Sequence, residues 1–156
     1  MRKIHYLLIP LFYLLVGGAG CWYTMQGLAV WYPALAKPAH APAPWFFLLV
    51  WPSLFLLAAW SFFLFVDRAR GRASFGVGVR LYIMNGVLGA AWCYLFFVRH
   101  LLGLAVLAAA LLAGSVVLII IFARPYSFRA TLLLLPYFLW SAVLTSLANE
   151  IFLLNR

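Results

Sequence analysis

The chain has 156 residues, of which 69% are hydrophobic and only 8% are charged. A soluble domain is about half apolar and about one quarter charged, so this composition excludes a water-soluble protein and predicts apolar surfaces that face lipid. The 11 basic residues outnumber the two acidic ones, but they are scattered at the ends of apolar segments. This scatter excludes a nucleic-acid-binding face.

The first apolar segment is predicted to be a transmembrane helix at about residues 4–25. At 1.5 Å per residue, this length spans a hydrocarbon core of about 30 Å. Arg2 and Lys3 before an apolar run are also the layout of a secretory signal peptide, and the segment from Gly18 to Cys21 loosely resembles a lipoprotein cleavage site. We favour a retained helix over a cleaved peptide.

Residues 26–44 are predicted to form a loop, because their prolines forbid a long regular helix. A short helical turn fits only near residues 32–36. The aromatic residues of this segment suit a membrane interface and also suit a lid over a pocket, and the two roles are compatible. The residues expected to form the lid are Trp31, Lys37, Pro38, Pro42, Pro44 and Trp45.

Four further apolar segments complete the predicted architecture. They lie at about residues 45–66, 80–98, 101–123 and 129–152. Short basic or glycine-containing joints separate them, and Pro136 is expected to kink the last helix. The predicted fold class is therefore all-α: a single domain, an integral membrane five-helix transmembrane bundle over residues 1–156.

The basic residues predict the orientation of this bundle. An odd number of spans places the termini on opposite sides, with eight basic residues on one side and only Lys37, Arg99 and Arg156 on the other. Because positively charged segments stay in the cytoplasm, the N-terminus is predicted inside, and the lid and C-terminus outside. We expect a bacterial membrane.

Three predicted helices each carry an aromatic or polar face, with residues spaced three, four or seven apart. These faces are Trp51 and Phe55; Asn85, Gly89 and Trp92; and Tyr137, Trp140 and Leu144. Together they could line an apolar cavity for a planar or polycyclic ligand. Ordinary packing between helices gives the same pattern, and spacing alone favours that simpler interpretation. Asn85 is a better candidate than Glu150 for a polar side chain that faces inward, because Glu150 is near the end of the last predicted helix.

A stripe of small residues occupies one face of the fourth predicted helix. Ala105, Ala109 and Ala113 recur every four residues, which lets helix backbones approach closely in lipid. This stripe serves either packing within one chain or a homodimer contact, and the sequence leaves both open.

Residues suited to catalysis or metal binding are scarce. Asp67 and Glu150 are the only acids and are predicted on opposite sides of the membrane, so they cannot act as a pair. No spacing indicates a catalytic triad or a metal site. His40 in the loop could ligate a haem iron, although a lone loop histidine is more often a solvated side chain. We predict no catalytic residue and no metal.

Several segments, taken in order, resemble the translocator protein family, whose bacterial members are called tryptophan-rich sensory proteins. The similarity covers almost the whole chain and rests on short motifs. These are WYPALAKP from Trp31, the following Trp45 and Trp51, WCYLFF from Trp92, LLLLPYFLWSAVLTSL from Leu132, and the final Leu154-Asn155.

This resemblance implies a five-helix bundle, commonly a homodimer, with a pocket under the first loop. It implies ligands such as protoporphyrin and haem, sterols such as cholesterol, or synthetic aromatic drugs, and no required cofactor. Tyr32, Trp51, Phe55, Trp92 and Trp140 match pocket or motif positions of the family and coincide largely with the helical faces. Because the family positions and the helical faces agree, we favour a ligand pocket over ordinary packing between helices.

Three positions depart from the family pattern. Gly86 and Gly89 replace a glutamine and an asparagine that usually precede the third-helix tryptophan, and Ala148 replaces the asparagine of a Leu-Asn pair. We expect weaker polar anchoring of a tetrapyrrole, because each lost hydrogen bond to a ligand costs on the order of 1 kcal/mol. The ligands are then expected to be more apolar.

The resemblance leads to a membrane sensor or binding protein for porphyrin-type or other hydrophobic aromatic ligands, acting in tetrapyrrole handling or stress signalling. One alternative is an enzyme that degrades bound porphyrin with light and oxygen, through Trp51 and Trp140. Another is a transporter, which the odd number of spans and the absence of a visible repeat disfavour. A purely structural role explains the aromatic loop poorly.

Overall fold

The computed structural model describes residues 4–156, except for the side chain of His5, and it is helical throughout with short connections. Arg2 and Lys3 lie outside the described residues. The helices are α1 (His5–Leu28), α2 (Trp31–Ala34), α3 (Pro44–Ala69), α4 (Phe75–Cys93), α5 (Leu102–Ala123) and α6 (Phe128–Leu154), and a π-helical turn, Tyr94–Val98, continues α4. Five of these segments are long and apolar enough to cross a membrane, and no strand occurs among the described residues, which confirms the all-α bundle.

The connections are set by residues that stop or start helices. Pro44 begins α3, where its missing N–H has no helical acceptor to lose, and Ser127 begins α6 by accepting a hydrogen bond from the Ala130 N–H at 3.2 Å. Gly71 adopts a positive φ of 80° in the turn before α4. The predicted lid turn is present as α2, shifted by one residue at its start.

The third membrane helix begins earlier than predicted. The sequence placed its start at about residue 80, after a glycine-containing joint, but α4 already begins at Phe75 and contains Gly76 and Gly78. The physical reason is packing: Gly78 is buried against the ring of Phe65, at a distance that leaves no room for a Cβ atom. Glycine is tolerated in membrane helices where it allows such close contact.

Buried polar side chains tie the helices together. The Ser61 hydroxyl of α3 lies 2.7 Å from the Tyr82 hydroxyl of α4 and donates to the carbonyl of Ala130 in α6 at 2.8 Å. Asn85 of α4 donates to Ser115 Oγ of α5 at 2.9 Å. Interhelical bonds of this kind contribute about 0.6 kcal/mol each in a membrane, so they select the packing more than they stabilise it.

The alanine stripe of α5 is used within the chain. Ala105 and Ala109 are fully buried in the described residues, where α5 packs against α4 and α6. The close helix approach that this stripe allows is therefore intramolecular, and a homodimer stays a prediction from the resemblance.

The two ends of the bundle carry different polar contacts. At the lid end, His100 stacks on Trp31 with ring centroids 4.2 Å apart, and Glu150 lies 3.5 Å from His40. At the other end, the Tyr6 hydroxyl lies 3.2 Å from the Asp67 carboxylate. The two acids are thus at opposite ends, as predicted.

Candidate ligand-binding site

Phe55 lies at the centre of an aromatic cluster in the lid half of the bundle. Its ring is 97% shielded and stacks on Trp51 at 5.6 Å with an interplanar angle of 27°. Tyr13 of α1 approaches it at 6.1 Å and Tyr137 of α6 at 6.5 Å. Three helices therefore surround one phenylalanine ring.

Glycines form the remaining walls around this ring. A Cβ atom built on Gly17, Gly20 or Gly89 would lie 3.2, 3.8 or 3.0 Å from atoms of the Phe55 ring. The ring therefore occupies a narrow slot between the backbones of α1 and α4. A slot with bare backbone on two sides favours a flat group over a bulky one.

The cluster continues through Trp92 toward the lid. Trp92 lies 5.7 Å from Trp51 and stacks on Phe96 at 4.9 Å with an interplanar angle of 14°. Leu144 is fully buried in the same core. Thus the structure brings together five residues of the predicted pocket around one centre: Trp51, Phe55, Gly89, Trp92 and Tyr137.

Tyr32 covers the aromatic cluster at its lid end. Its ring packs edge-on against Phe47 at 5.3 Å, and its hydroxyl donates to the carbonyl of Pro42 at 2.9 Å, which closes the lid loop on itself. Burial raises the pKa of Tyr32 to about 12, so the phenol keeps its donor proton over the physiological range. The structure places this predicted pocket residue at the junction of lid and core.

The predicted lid residues fall into inner and outer groups. Lys37 Nζ donates to the carbonyls of Tyr32 and Leu35, both at 2.8 Å, so it braces the lid from within. Trp31 packs on Phe96 at 4.9 Å. Pro38, Pro42 and Pro44 are half-buried, whereas Trp45 is 60% exposed and lies outside the cluster.

Trp140 lies apart from Trp51. It packs against Phe46 at 5.5 Å and Phe47 at 6.0 Å, and it lines an outer groove of about 350 Å³. His40, Trp45 and Leu147 also line this groove. Consequently, the tryptophan beside Trp51 is Trp92, and Trp140 separates the outer groove from the lid-proximal rings.

Buried polar atoms without a partner concentrate in this region of the described chain. They are the hydroxyls of Tyr13 and Tyr137 and the indole N–H groups of Trp51, Trp92 and Trp140. A buried donor left unpaired costs roughly 1–3 kcal/mol, so a group of them is unusual for a purely structural core. Three of these residues, Tyr13, Trp51 and Tyr137, contact the Phe55 ring.

The departures from the family pattern have different surroundings. A Cβ atom on Gly86 would lie 2.8 Å from the Phe12 ring, so a longer residue there would displace α1 or that ring. Ala148 is buried on α6. Asn85, the expected inward donor, donates one of its two amide N–H groups to Ser115 of α5.

Several site residues were not predicted. Tyr13, Gly17 and Gly20 lie on α1, for which no aromatic or small-residue face was predicted. Phe96 and Phe97 are both buried in the π-helical turn that continues α4. Only the WCYLFF motif pointed to this pair.

The described site offers stacking surfaces and hydrogen-bond donors without an acid. Neither Asp67 nor Glu150 reaches the cluster, and no group of three or more metal-ligating side chains occurs in the described part of the chain. The arrangement suits binding of an aromatic ligand that carries acceptors, rather than acid–base chemistry.

Five membrane-length helices closed by a short lid over an aromatic, donor-rich core define an integral membrane protein with a buried aromatic site. A family model described as the TspO/MBR family matches residues 8–154, so the chain belongs to that family. This confirms the resemblance found in the sequence.

Individual relatives agree with this assignment. The chain is 35% identical to "Uncharacterized membrane protein YtaB" of Bacillus subtilis, over 80% of each chain. It is 32% identical to "Tryptophan-rich protein TspO" of Archaeoglobus fulgidus, over 91% of each chain. It is 29% identical to "Translocator protein 2" of Canis lupus familiaris, over 82% of this chain and 76% of the relative. Family membership supports a role as a membrane sensor or transporter.

Proposed function

We propose that this protein binds porphyrin-type ligands, such as protoporphyrin or haem, or other hydrophobic aromatic molecules in the cluster around Phe55, and that it senses them in the membrane. The observation that carries the proposal is the set of unpaired donors around that ring. The hydroxyl of Tyr13 and the indole N–H of Trp51 have no partner among the described residues, and the Tyr137 hydroxyl makes no hydrogen bond of ordinary geometry. An acceptor-bearing aromatic ligand would satisfy them.

A ligand can bind in this cluster only if the Phe55 ring moves out of its position. The rings fill the space between them in this structure, since Trp51, Trp92 and Tyr137 are each at most 1% exposed. The Phe55 ring itself occupies the position expected for a flat ligand, between glycine backbones and parallel to Trp51. A ligand ring would take over these contacts, so only part of its stacking energy would appear as affinity.

A titration of detergent-purified protein with protoporphyrin IX and with haemin tests this function. Tryptophan fluorescence is expected to quench saturably, and Trp51→Ala is expected to weaken binding at least about tenfold, since a buried aromatic contact contributes about 1.5 kcal/mol or more. Trp60→Ala is the control, because Trp60 is on the same helix but 60% exposed. Quenching that never saturates, or equal loss in both variants, would remove the proposal.

Light-driven degradation of bound porphyrin is the second candidate function. Trp51 and Trp92 lie 5.7 Å apart, so an excited ring bound at Phe55 would have two indoles within electron-transfer distance. The test compares loss of porphyrin absorbance under light and oxygen for wild type and for Trp51→Phe/Trp92→Phe. Equal rates would exclude a role for these indoles, whereas Trp51→Phe/Trp140→Phe should match Trp51→Phe alone.

A further inference from the structure

One amide side chain at the end of α6 holds the backbone of the lid. Asn155 Oδ1 accepts a hydrogen bond from the Ala36 N–H at 3.0 Å, and Asn155 Nδ2 donates to the Ala36 carbonyl at 2.8 Å. The same Nδ2 donates to the carbonyl of Ile151, one turn back, at 2.7 Å. This third bond fixes the amide to its own helix, so both polar groups of Ala36 are tied to α6.

A restraint on Ala36 restrains the whole lid, because hydrogen bonds within the lid connect its residues. The next residue, Lys37, bonds three lid carbonyls, and the Tyr32 hydroxyl closes the loop onto Pro42. These internal bonds make the segment from α2 to Pro42 one stiff unit. A unit of that kind moves as a whole, so a clamp at one residue restrains all of it.

The lid is fastened differently on its two sides. On one side the fastening is aromatic, where Trp31 stacks on His100 and packs on Phe96. On the α6 side it is polar, through the Asn155 amide and the 3.5 Å approach of His40 to Glu150. Because exposed hydrogen bonds break more readily than the packing of Trp31 on the buried Phe96 ring, the α6 side is the side on which the lid can open.

We infer that Asn155 is a positioning residue that holds the lid closed through its two hydrogen bonds to Ala36, here called the latch. It thereby sets the rate at which a ligand enters and leaves the core. This inference rests on the proposed ligand-binding function. Asn155 does not touch the Phe55 cluster; it acts through Ala36 on the lid whose Tyr32 covers that cluster. Because Asn155 does not contact the ligand site, its loss is expected to change exchange rates more than affinity.

Asn155→Asp is the decisive variant. Aspartate has the shape of asparagine and still accepts from the Ala36 N–H, but its carboxylate cannot donate to the carbonyls of Ala36 and Ile151 and is repelled by them. Loss of these donor bonds is expected to raise the open population of the lid about tenfold. Asn149→Asp is the matched control, since Asn149 is on the same helix, exposed, and without a side-chain hydrogen bond in the described part of the chain.

Two readouts are measured on the full chain in detergent. Hydrogen–deuterium exchange follows the lid amides over residues 31–43 without any ligand. Stopped-flow tryptophan quenching by protoporphyrin IX gives association and dissociation rates. Asn155→Asp is expected to speed lid exchange and to raise both rates about tenfold, with the dissociation constant changed less than about threefold, while Asn149→Asp matches wild type.

The two readouts separate the latch from the function it would serve. Unchanged lid exchange in Asn155→Asp would overturn the latch whatever the ligand does. Faster lid exchange with unchanged protoporphyrin rates would overturn its control of ligand exchange. If wild type binds no protoporphyrin, the proposed function is what fails, and the same kinetic comparison is then made with a fluorescent sterol as the probe.

Discussion

Gly89 of α4 and Phe55 of α3 are in such close contact that a single Cβ atom on the glycine would lie 3.0 Å from Cζ of the ring. The same Cβ would lie 3.4 Å from the Tyr137 hydroxyl oxygen. The glycine that replaces the usual family asparagine is therefore what admits the Phe55 ring between α1 and α4.

An asparagine at position 89 should move the Phe55 ring aside and provide an amide group that can form a hydrogen bond to a ligand. Gly89→Asn is expected to displace the Phe55 ring and to place an amide beside Tyr137. Protoporphyrin IX affinity should then rise about fivefold relative to Gly89→Ala, whose Cβ atom also presses on the ring but adds no donor. Equal affinities of the two variants, measured by fluorescence titration, would show that polar anchoring at this position is irrelevant.

A second glycine should control the packing of α1. A Cβ atom on Gly27 would lie 2.5 Å from the backbone oxygen of Phe97 in the π-helical turn, so Gly27→Ala must separate α1 from that turn. Overpacking of this kind costs about 1–3 kcal/mol, which should lower the midpoint of thermal unfolding in detergent by several degrees. Gly18→Ala is the control, because nothing lies within 4 Å of its Cβ position. A similar midpoint for both variants would contradict the observed contact.

Tyr32 gives the lid a defined response to alkaline pH. Burial raises the pKa of Tyr32 to about 12 from 10. Because the folded pKa is raised, the stabilisation by the protonated phenol is complete below pH 10 and is lost as pH rises through 12. The phenolate absorbance that is present in wild type and absent in Tyr32→Phe should therefore titrate near pH 12. A difference that titrates near pH 10 would mean that the phenol is exposed.

The orientation in the membrane is a further prediction. With the lid end outside, a membrane-impermeant maleimide should label Arg99→Cys in intact cells and should label Arg124→Cys only after permeabilisation. Both arginines are exposed at opposite ends of α5; the native Cys93 is buried, and the half-buried Cys21 is replaced by alanine in both variants. Labelling of Arg124→Cys alone in intact cells would reverse the assignment.

The membrane helices were predictable because lipid imposes one simple condition, a long apolar segment with its backbone bonds satisfied internally. Trp51, Phe55, Trp92 and Tyr137 were also predictable, since a regular helical period and the family motifs place them on inward faces. Their meeting around one ring was not, because spacing within a helix says nothing about how neighbouring helices are rotated.

The features that were not predicted depend on local geometry, which the helical periodicity of the sequence does not reveal. Phe96 and Phe97 lie in a π-helical turn, and Gly17 matters only through the Phe55 ring that packs against it. Spacing placed Trp140 on one face with Tyr137 and the family motif assigned it to the pocket; in the structure its ring packs against Phe46 and lines the outer groove. Asn155 appeared only as a familiar chain end, and its role required the position of Ala36 119 residues away.

Ligand binding in the cluster around Phe55 requires a ligand ring to replace the Phe55 ring. Incorporation of 4-fluorophenylalanine at position 55 would let fluorine NMR follow this ring during a protoporphyrin IX titration. The resonance is expected to shift and to saturate at the dissociation constant obtained from tryptophan quenching. Saturable quenching with an unmoved fluorine resonance would contradict the account, and it would place the ligand elsewhere, with the outer groove beside Trp140 as the next site to test.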